Sequence, residues 1–271
     1  MPPSSNAASG VPDMGLYKLS RVHRTLQGLE SKSDWTPEDT KSFDCMHYLG
    51  DAAVENAAKE LGLKAGERVL DLGSGFGGTG RYLHRHFGAT ITGIELQQDI
   101  HEIAQTINER SGVGGGATSI NGNFLHLDPG LMGAPLNHIV SFLCILHIAE
   151  RETLFKKACD ALETGGKLYI EDFFALKPLD AKTVEVLRAS VSCPRLPAKC
   201  QYMEELEKAG FQVINWVDMS TAWTEFVHRR AEEFKQDPAA VDADLTSFYD
   251  AVDGVFTGGQ VGGARITCQK K

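Results

Sequence analysis

Asp71 sits in an apolar run of strand formers, Val69-Leu70-Asp71-Leu72, and Gly73, Gly75, Gly77 and Gly78 follow directly. Glycine at alternate positions removes the side chains that would hold a ligand off the backbone, and it lets the chain turn with positive φ. A helix opening at Gly78 would then aim its first amides at that ligand. Further on, Thr90-Ile91-Thr92-Gly93-Ile94-Glu95 is a second run of strand formers that ends in a carboxylate. Doubly wound α/β folds use an acid at that place to hydrogen-bond a ribose diol. Together these residues describe a pocket for an adenosine-type cofactor. Gly73, Gly75 and Gly78 also satisfy the dinucleotide spacing G-x-G-x-x-G, so the glycines alone do not separate NAD from other adenosine cofactors.

The position of the acid does separate them. Asp71 comes just before the glycine loop, and the loop runs on as Gly73-x-Gly75-x-Gly77. This arrangement resembles motif I of the class I S-adenosylmethionine-dependent methyltransferases. The resemblance implies S-adenosyl-L-methionine as cofactor and S-adenosyl-L-homocysteine as product, held by Asp71, Gly73, Gly75, Gly77 and Glu95. It also implies contacts from Leu96, next to Glu95, and from Leu143 at the end of the fourth strand. Asn123 and Phe124 stand where the family sets an acid or amide against the adenine amino group and an apolar side chain against the ring.

Methyl transfer from a sulfonium is an in-line displacement, so alignment and exclusion of water do most of the work. An ammonium or hydroxyl acceptor must also lose a proton, a task suited to histidine near neutral pH. His147 follows the fourth predicted strand at the edge where open α/β sheets bind ligands, and is the candidate base. Glu171 and Asp172 end the fifth strand at that edge. Alternation sends one to each face of the sheet, and Asp172 is the one expected in the site.

A closer resemblance covers residues 50–271. Cys144-Ile145-Leu146-His147, Leu154-Phe155-Lys156-Lys157, Tyr169-Ile170-Glu171-Asp172 and the tail from Gly258-Gly259 are similar to the phosphoethanolamine and the sarcosine/dimethylglycine N-methyltransferases. In the phosphobase enzymes the histidine matching His147 forms a catalytic dyad with an N-terminal tyrosine, here Tyr48 or Tyr17. The segment Phe43-Asp44-Cys45-Met46-His47-Tyr48 likewise resembles the aromatic, histidine-rich stretch that covers cofactor and acceptor, which makes His47 a substrate-binding candidate. Two departures bear on the acceptor. Leu143 replaces the acid that would hold a cationic amine, and the arginine, tyrosine and lysine that grip a phosphate have no clear match, Arg195 and Lys199 being only nearby, which argues against a phosphorylated substrate. The sequence therefore implies methylation of a small metabolite, with N-methylation of an amine or amino acid derivative ahead of O-, S- or C-methylation of a less polar molecule. A non-catalytic nucleotide-binding or scaffold protein is the remote alternative.

Strands and helices alternate regularly enough to predict an α/β fold: a Rossmann-like, seven-stranded doubly wound sheet with a helical N-terminal segment and an inserted lid or cap. Apolar residues at Leu16, Leu19, Val22, Leu26 and Leu29 predict a helix ahead of the core. Gly165-Gly166 should stop the helix before the fifth strand, and Pro178, Pro194 and Pro197 mark the lid. Trp223 to Phe256 adds two helices that a minimal core would not need, with Trp223 a candidate for the acceptor pocket. The expected division is an N-terminal cap segment over 1–50, the cofactor core over 51–175, and lid, cap helices and last two strands over 176–271. The 271 residues carry a net charge of -9, which makes nucleic acid and anionic membrane poor partners. The six cysteines form no metal-like spacing, and a reducing cytoplasm is the expected compartment. The opening residues lack an apolar leader core. Oligomeric state, monomer or homodimer, stays open.

Overall fold

The computed structural model describes residues 19–44, 47–236 and 243–271. Tyr17, Cys45 and Met46 lie outside them. Three helices precede the sheet: α1 (Leu19–Gly28), α2 (Pro37–Asp44) and α3 (Asp51–Leu61). Pro37 suits the first turn of α2, where its missing N–H costs nothing. The Thr36 amide is taken up by the Asp39 carboxylate at 2.8 Å.

The core then alternates β1 (Arg68–Leu72), α4 (Gly78–Phe87), β2 (Thr90–Glu95), α5 (Gln98–Arg110), β3 (Ala117–Asn121), β4 (Leu136–Phe142), α6 (Arg151–Ala161) and β5 (Leu162–Ala175). It continues through α7 (Ala181–Ser190), α8 (Lys199–Lys208), β6 (Phe211–Asp218), α9 (Ser220–Gln236), α10 (Ala243–Thr257) and β7 (Val261–Lys270). The seven strands form one sheet in the order β3-β2-β1-β4-β5-β7-β6, the doubly wound architecture that the sequence predicts. β7 runs antiparallel to both of its neighbours and the other pairs are parallel.

Alternation divides the strand residues between two cores. Val69, Ile91, Val140 and Tyr169 pack against Val54, Ala57 and Leu61 of α3 and Leu83 of α4. Their neighbours Leu70, Ile139, Leu168 and Ile170 pack against Leu154 and Phe155 of α6 and Leu206 of α8. Because both faces are covered, the strands read as nearly continuous apolar runs. A third cluster ties the N-terminal helices to α5, with Phe43 and Phe76 edge to face at 5.2 Å between them.

The cap forms the fourth cluster. Leu187 of α7, Trp223 and Val227 of α9, and Val252 and Phe256 of α10 gather with Tyr48, Leu146 and Phe173. These helices stand at the carboxyl ends of β4 and β5. In one place the path differs from expectation: α6 ends at Ala161, and Gly165-Gly166 lie inside β5. The glycines are needed there because Gly165 has φ 80° and a Cβ on Gly166 would stand 2.9 Å from the Asn137 carbonyl oxygen. They serve a close approach of β5 to β4 and do not stop the helix.

No described helix is long and apolar enough to cross a membrane. Trp223 is fully buried, and its ring occupies the space that a Cβ on Gly263 of β7 would need. That contact locks α9 onto the sheet. Trp223→Ala should therefore cost about 3–5 kcal/mol of unfolding free energy in urea titration, and Gly263→Ala about 1–3 kcal/mol through overpacking.

Candidate active site

The carboxyl ends of β1, β2 and β4 open into a cavity of about 390 Å³ that continues under the cap. Its cofactor half is made by the glycine loop. Gly73, Gly75 and Gly77 have φ of 78°, 53° and 84°, a region that side chains disfavour. Gly73 and Gly75 line the cavity; Gly77 does not, and caps α4 instead. A Cβ at Gly78 would stand 2.9 Å from the Asp44 backbone oxygen, so this glycine admits the N-terminal segment. Asp44 is fixed there by a buried ion pair with Arg81, which also donates to Asn108 Oδ1 at 2.6 Å.

Glu95 holds the loop in shape. Its Oε2 accepts from the Gly75 amide at 3.0 Å and its Oε1 from the Gln97 amide at 2.8 Å. Burial still raises its pKa, against the lowering by these amides. Asp71 is buried, and its Oδ2 has no hydrogen-bond partner. Burial, reinforced by the Glu95 charge and opposed by Arg81, pushes its pKa up to about 7. The hydroxyl of Ser74 is also buried without a partner. An unpartnered carboxylate oxygen, an unpartnered hydroxyl and an open glycine backbone are what the amino acid end of S-adenosylmethionine needs, so these residues fit that cofactor. Leu96, Asn123 and Phe124 line the same half. Asn123 Oδ1 accepts from the Leu125 amide at 2.9 Å and so sets the turn that presents Phe124.

Between the halves runs the β4 exit loop. Leu143 lines the cavity with φ 51°, a conformation that costs about 1–3 kcal/mol in a non-glycine residue, and its amide donates to the Glu171 carbonyl at 2.8 Å. His147 also lines the cavity, and its Nδ1 lies 3.1 Å from the Ser192 carbonyl oxygen. A carbonyl only accepts, so Nδ1 carries the proton and Nε2 keeps its lone pair. Burial lowers the His147 pKa and keeps the ring neutral.

His47 and Tyr48 line the far wall. The His47 ring lies on Phe142 at 4.9 Å, its Nε2 is buried without a partner, and burial lowers its pKa. Tyr48 packs edge to face on Trp223 at 5.1 Å, and burial drives its pKa well up, so its hydroxyl stays protonated.

Asp172 and Trp223, both expected in the site, do not line the cavity. Asp172 is buried beneath the β4 loop. It accepts from the Tyr202 hydroxyl at 2.8 Å and lies 3.8 Å from the Arg151 guanidinium, and its pKa is up to about 6 through burial. Glu171 points to the opposite face and is held by Tyr169 at 2.7 Å and Arg265 at 2.8 Å. Trp223 supports Tyr48 from behind. Sequence reasoning missed Arg230, which lines the cavity from the cap side. A signal was available, because Arg230 follows Trp223 and Val227 at helical spacing on the buried face of α9.

Comparison with known proteins agrees with this fold. Methyltransferase GfsG of Streptomyces halstedii is 25% identical over 185 residues, 67% of this chain and 66% of its own length. The match thus spans slightly under two-thirds of that relative. Among solved structures, phosphoethanolamine N-methyltransferase 2 of Haemonchus contortus, in complex with phosphomonomethylethanolamine and S-adenosylhomocysteine, superposes with a TM-score of 0.74 at 21% identity. That superposition covers 84% of this chain and 54% of the other. Mycolic acid cyclopropane synthase CmaA1, complexed with S-adenosylhomocysteine, gives 0.73 at 18% identity, covering 87% and 91%.

Removing Glu95 releases two loop amides, and charge-assisted hydrogen bonds of this kind contribute about 1.5–3 kcal/mol. Glu95→Ala should therefore weaken S-adenosylhomocysteine binding at least about tenfold in calorimetric titration. An Asp71 that pairs with the ligand's ammonium group must be ionised, and on that assignment affinity should fall as pH drops through about 7. Asp71→Asn should bind more weakly and lose that pH dependence. The family model for mycolic acid cyclopropane synthetase matches residues 44–251, and the chain belongs to that family of class I S-adenosylmethionine-dependent methyltransferases.

Proposed function

We propose that the chain transfers a methyl group from S-adenosylmethionine to a small acceptor bound beneath the cap, with His147 as general base. The observation that carries this reading is the contact between His147 Nδ1 and the Ser192 carbonyl, which leaves Nε2 free to accept a proton on the cavity wall. When bound, the cofactor supplies a methyl group on a positively charged sulfur. Asp71, Gly73, Gly75, Glu95, Leu96, Asn123, Phe124 and Leu143 would hold it. The apolar wall of Leu146, Phe173, Val191 and Val252 excludes water from the acceptor. The protonated Tyr48 hydroxyl is a hydrogen-bond donor that orients the acceptor, and it is no base at neutral pH.

The charges around the cavity support one choice of acceptor atom. Asp71 and Glu95 belong to the cofactor half, Asp44 is paired with Arg81, and Glu150 is exposed. The acceptor half holds a cation, Arg230, which repels an ammonium. A neutral hydroxyl or enol therefore fits better than the amine favoured by the sequence resemblance. O-methylation of a largely apolar small molecule is the preferred reading.

The test is incubation with methyl-labelled S-adenosylmethionine and matched phenols, enols, amines and thiols, reading product mass. Label on oxygen supports this reading, and label confined to amines replaces it with N-methylation. His147→Ala should lower kcat by about 10²–10⁴-fold while leaving S-adenosylhomocysteine affinity intact. Because the base must be unprotonated and its pKa is lowered, kcat should rise with pH below neutrality and be flat above it.

A further inference from the structure

Arg230 differs from the other arginines buried in this fold. Arg81 is paired with Asp44, Arg151 with Glu205 and Asp172, and Arg265 with Glu171. Arg230 is half-buried, lines the cavity, and forms no ion pair with any described residue. It is also the only arginine or lysine among the described residues on the cavity wall. Its guanidinium is held between aromatic rings, 5.2 Å from the centre of Tyr249 and 5.6 Å from that of Phe226. Those rings fix its plane without neutralising its charge. Val227, Phe248 and Val252 surround it with apolar surface, where an uncompensated charge is costly.

We infer that Arg230 is the anchor for a carboxylate on the methyl acceptor, so that the substrate is an apolar small molecule carrying one carboxylic acid group. The planar guanidinium offers two parallel donors that match a carboxylate in a bidentate pair. A phosphate monoester, with close to two charges, calls for further cations, and the neighbouring histidines, His47 and His147, have lowered pKa values and are neutral. The acid would also set the register of the substrate. With one end fixed at α9, the reacting atom is presented to the β4 loop, where His147 stands.

This assignment rests on the methyl-transfer reading, and its test keeps the two apart. The full-length protein is first titrated with S-adenosylhomocysteine. Failure to bind overturns the methyl-transfer reading, and this inference with it. The loaded protein is then titrated with hexanoate, decanoate and 3-(4-hydroxyphenyl)propanoate, each beside its primary amide. At least one acid should bind about tenfold or more tightly than its amide. Arg230→Gln should abolish that preference without changing S-adenosylhomocysteine affinity, and Arg230→Lys should restore part of it. Equal binding of acids and amides, no binding of any pair, a preference that survives Arg230→Gln, or tighter binding of decyl phosphate than of decanoate would each overturn the carboxylate anchor.

Discussion

The site depends on three glycines at which neighbouring segments close in to where a Cβ would stand. A Cβ on Gly73 would overlap the Cys144 side chain, one on Gly93 would stand 2.7 Å from the Ser74 side chain, and one on Gly78 would touch the Asp44 backbone. These three approaches draw together the loops after β1 and β4, strand β2 and the N-terminal segment. Without them the carboxyl edge of the sheet would splay, and neither Glu95 nor His147 would face a common cavity. Glycine in these places is a packing requirement first and a conformational one second.

Around that close approach the buried charges are divided by strand alternation. Glu171 and Asp172 are adjacent on β5, so one falls to each face of the sheet. Each finds a tyrosine and an arginine: Tyr169 and Arg265 for the first, Tyr202 and Arg151 for the second. A carboxylate held this way fixes the wall beneath the β4 loop but does not face the ligand. Asp71 and Glu95, at the ends of β1 and β2, do face it, and burial raises the pKa of both. The cavity is consequently acidic at its cofactor end and cationic at its acceptor end. That polarity suits a positively charged cofactor at the acidic end, and it underlies the carboxylate anchor proposed for Arg230.

The core of the fold was legible in the sequence because the strands are apolar on both faces and the helices carry their periodicity plainly. Helix α4, Gly78–Phe87, is delimited by glycines at both ends, which the spacing shows directly. The cofactor half was legible for a related reason, since Asp71, the glycines and Glu95 lie close to one another along two adjacent strands. The acceptor half was not. It is assembled from His47 and Tyr48, the β4 loop, and Val227, Arg230 and Val252 on α9 and α10, segments far apart in the chain. Periodicity says that Trp223 is buried, but not whether it faces a cavity or the sheet. Only the bare backbone of Gly263 across from it decides that. Asp172 failed for the complementary reason: alternation gives the face, and the partners Arg151 and Tyr202 come from helices whose placement the sequence leaves open.

The two halves therefore answer to different constraints. The cofactor half is fixed by the strand ends and their glycines, so its geometry varies only if the sheet does. The acceptor half is carried by helices that reach the sheet mainly through one cluster, in which Tyr48 packs against Phe173, Trp223 and Phe256. Unlike Trp223, which packs on β7, the cavity-lining side chains Arg230 and Tyr249 stand on α9 and α10 away from any strand. A shared core can then serve acceptors of different chemistry, and selecting among them is the role proposed for Arg230, a residue that no strand positions.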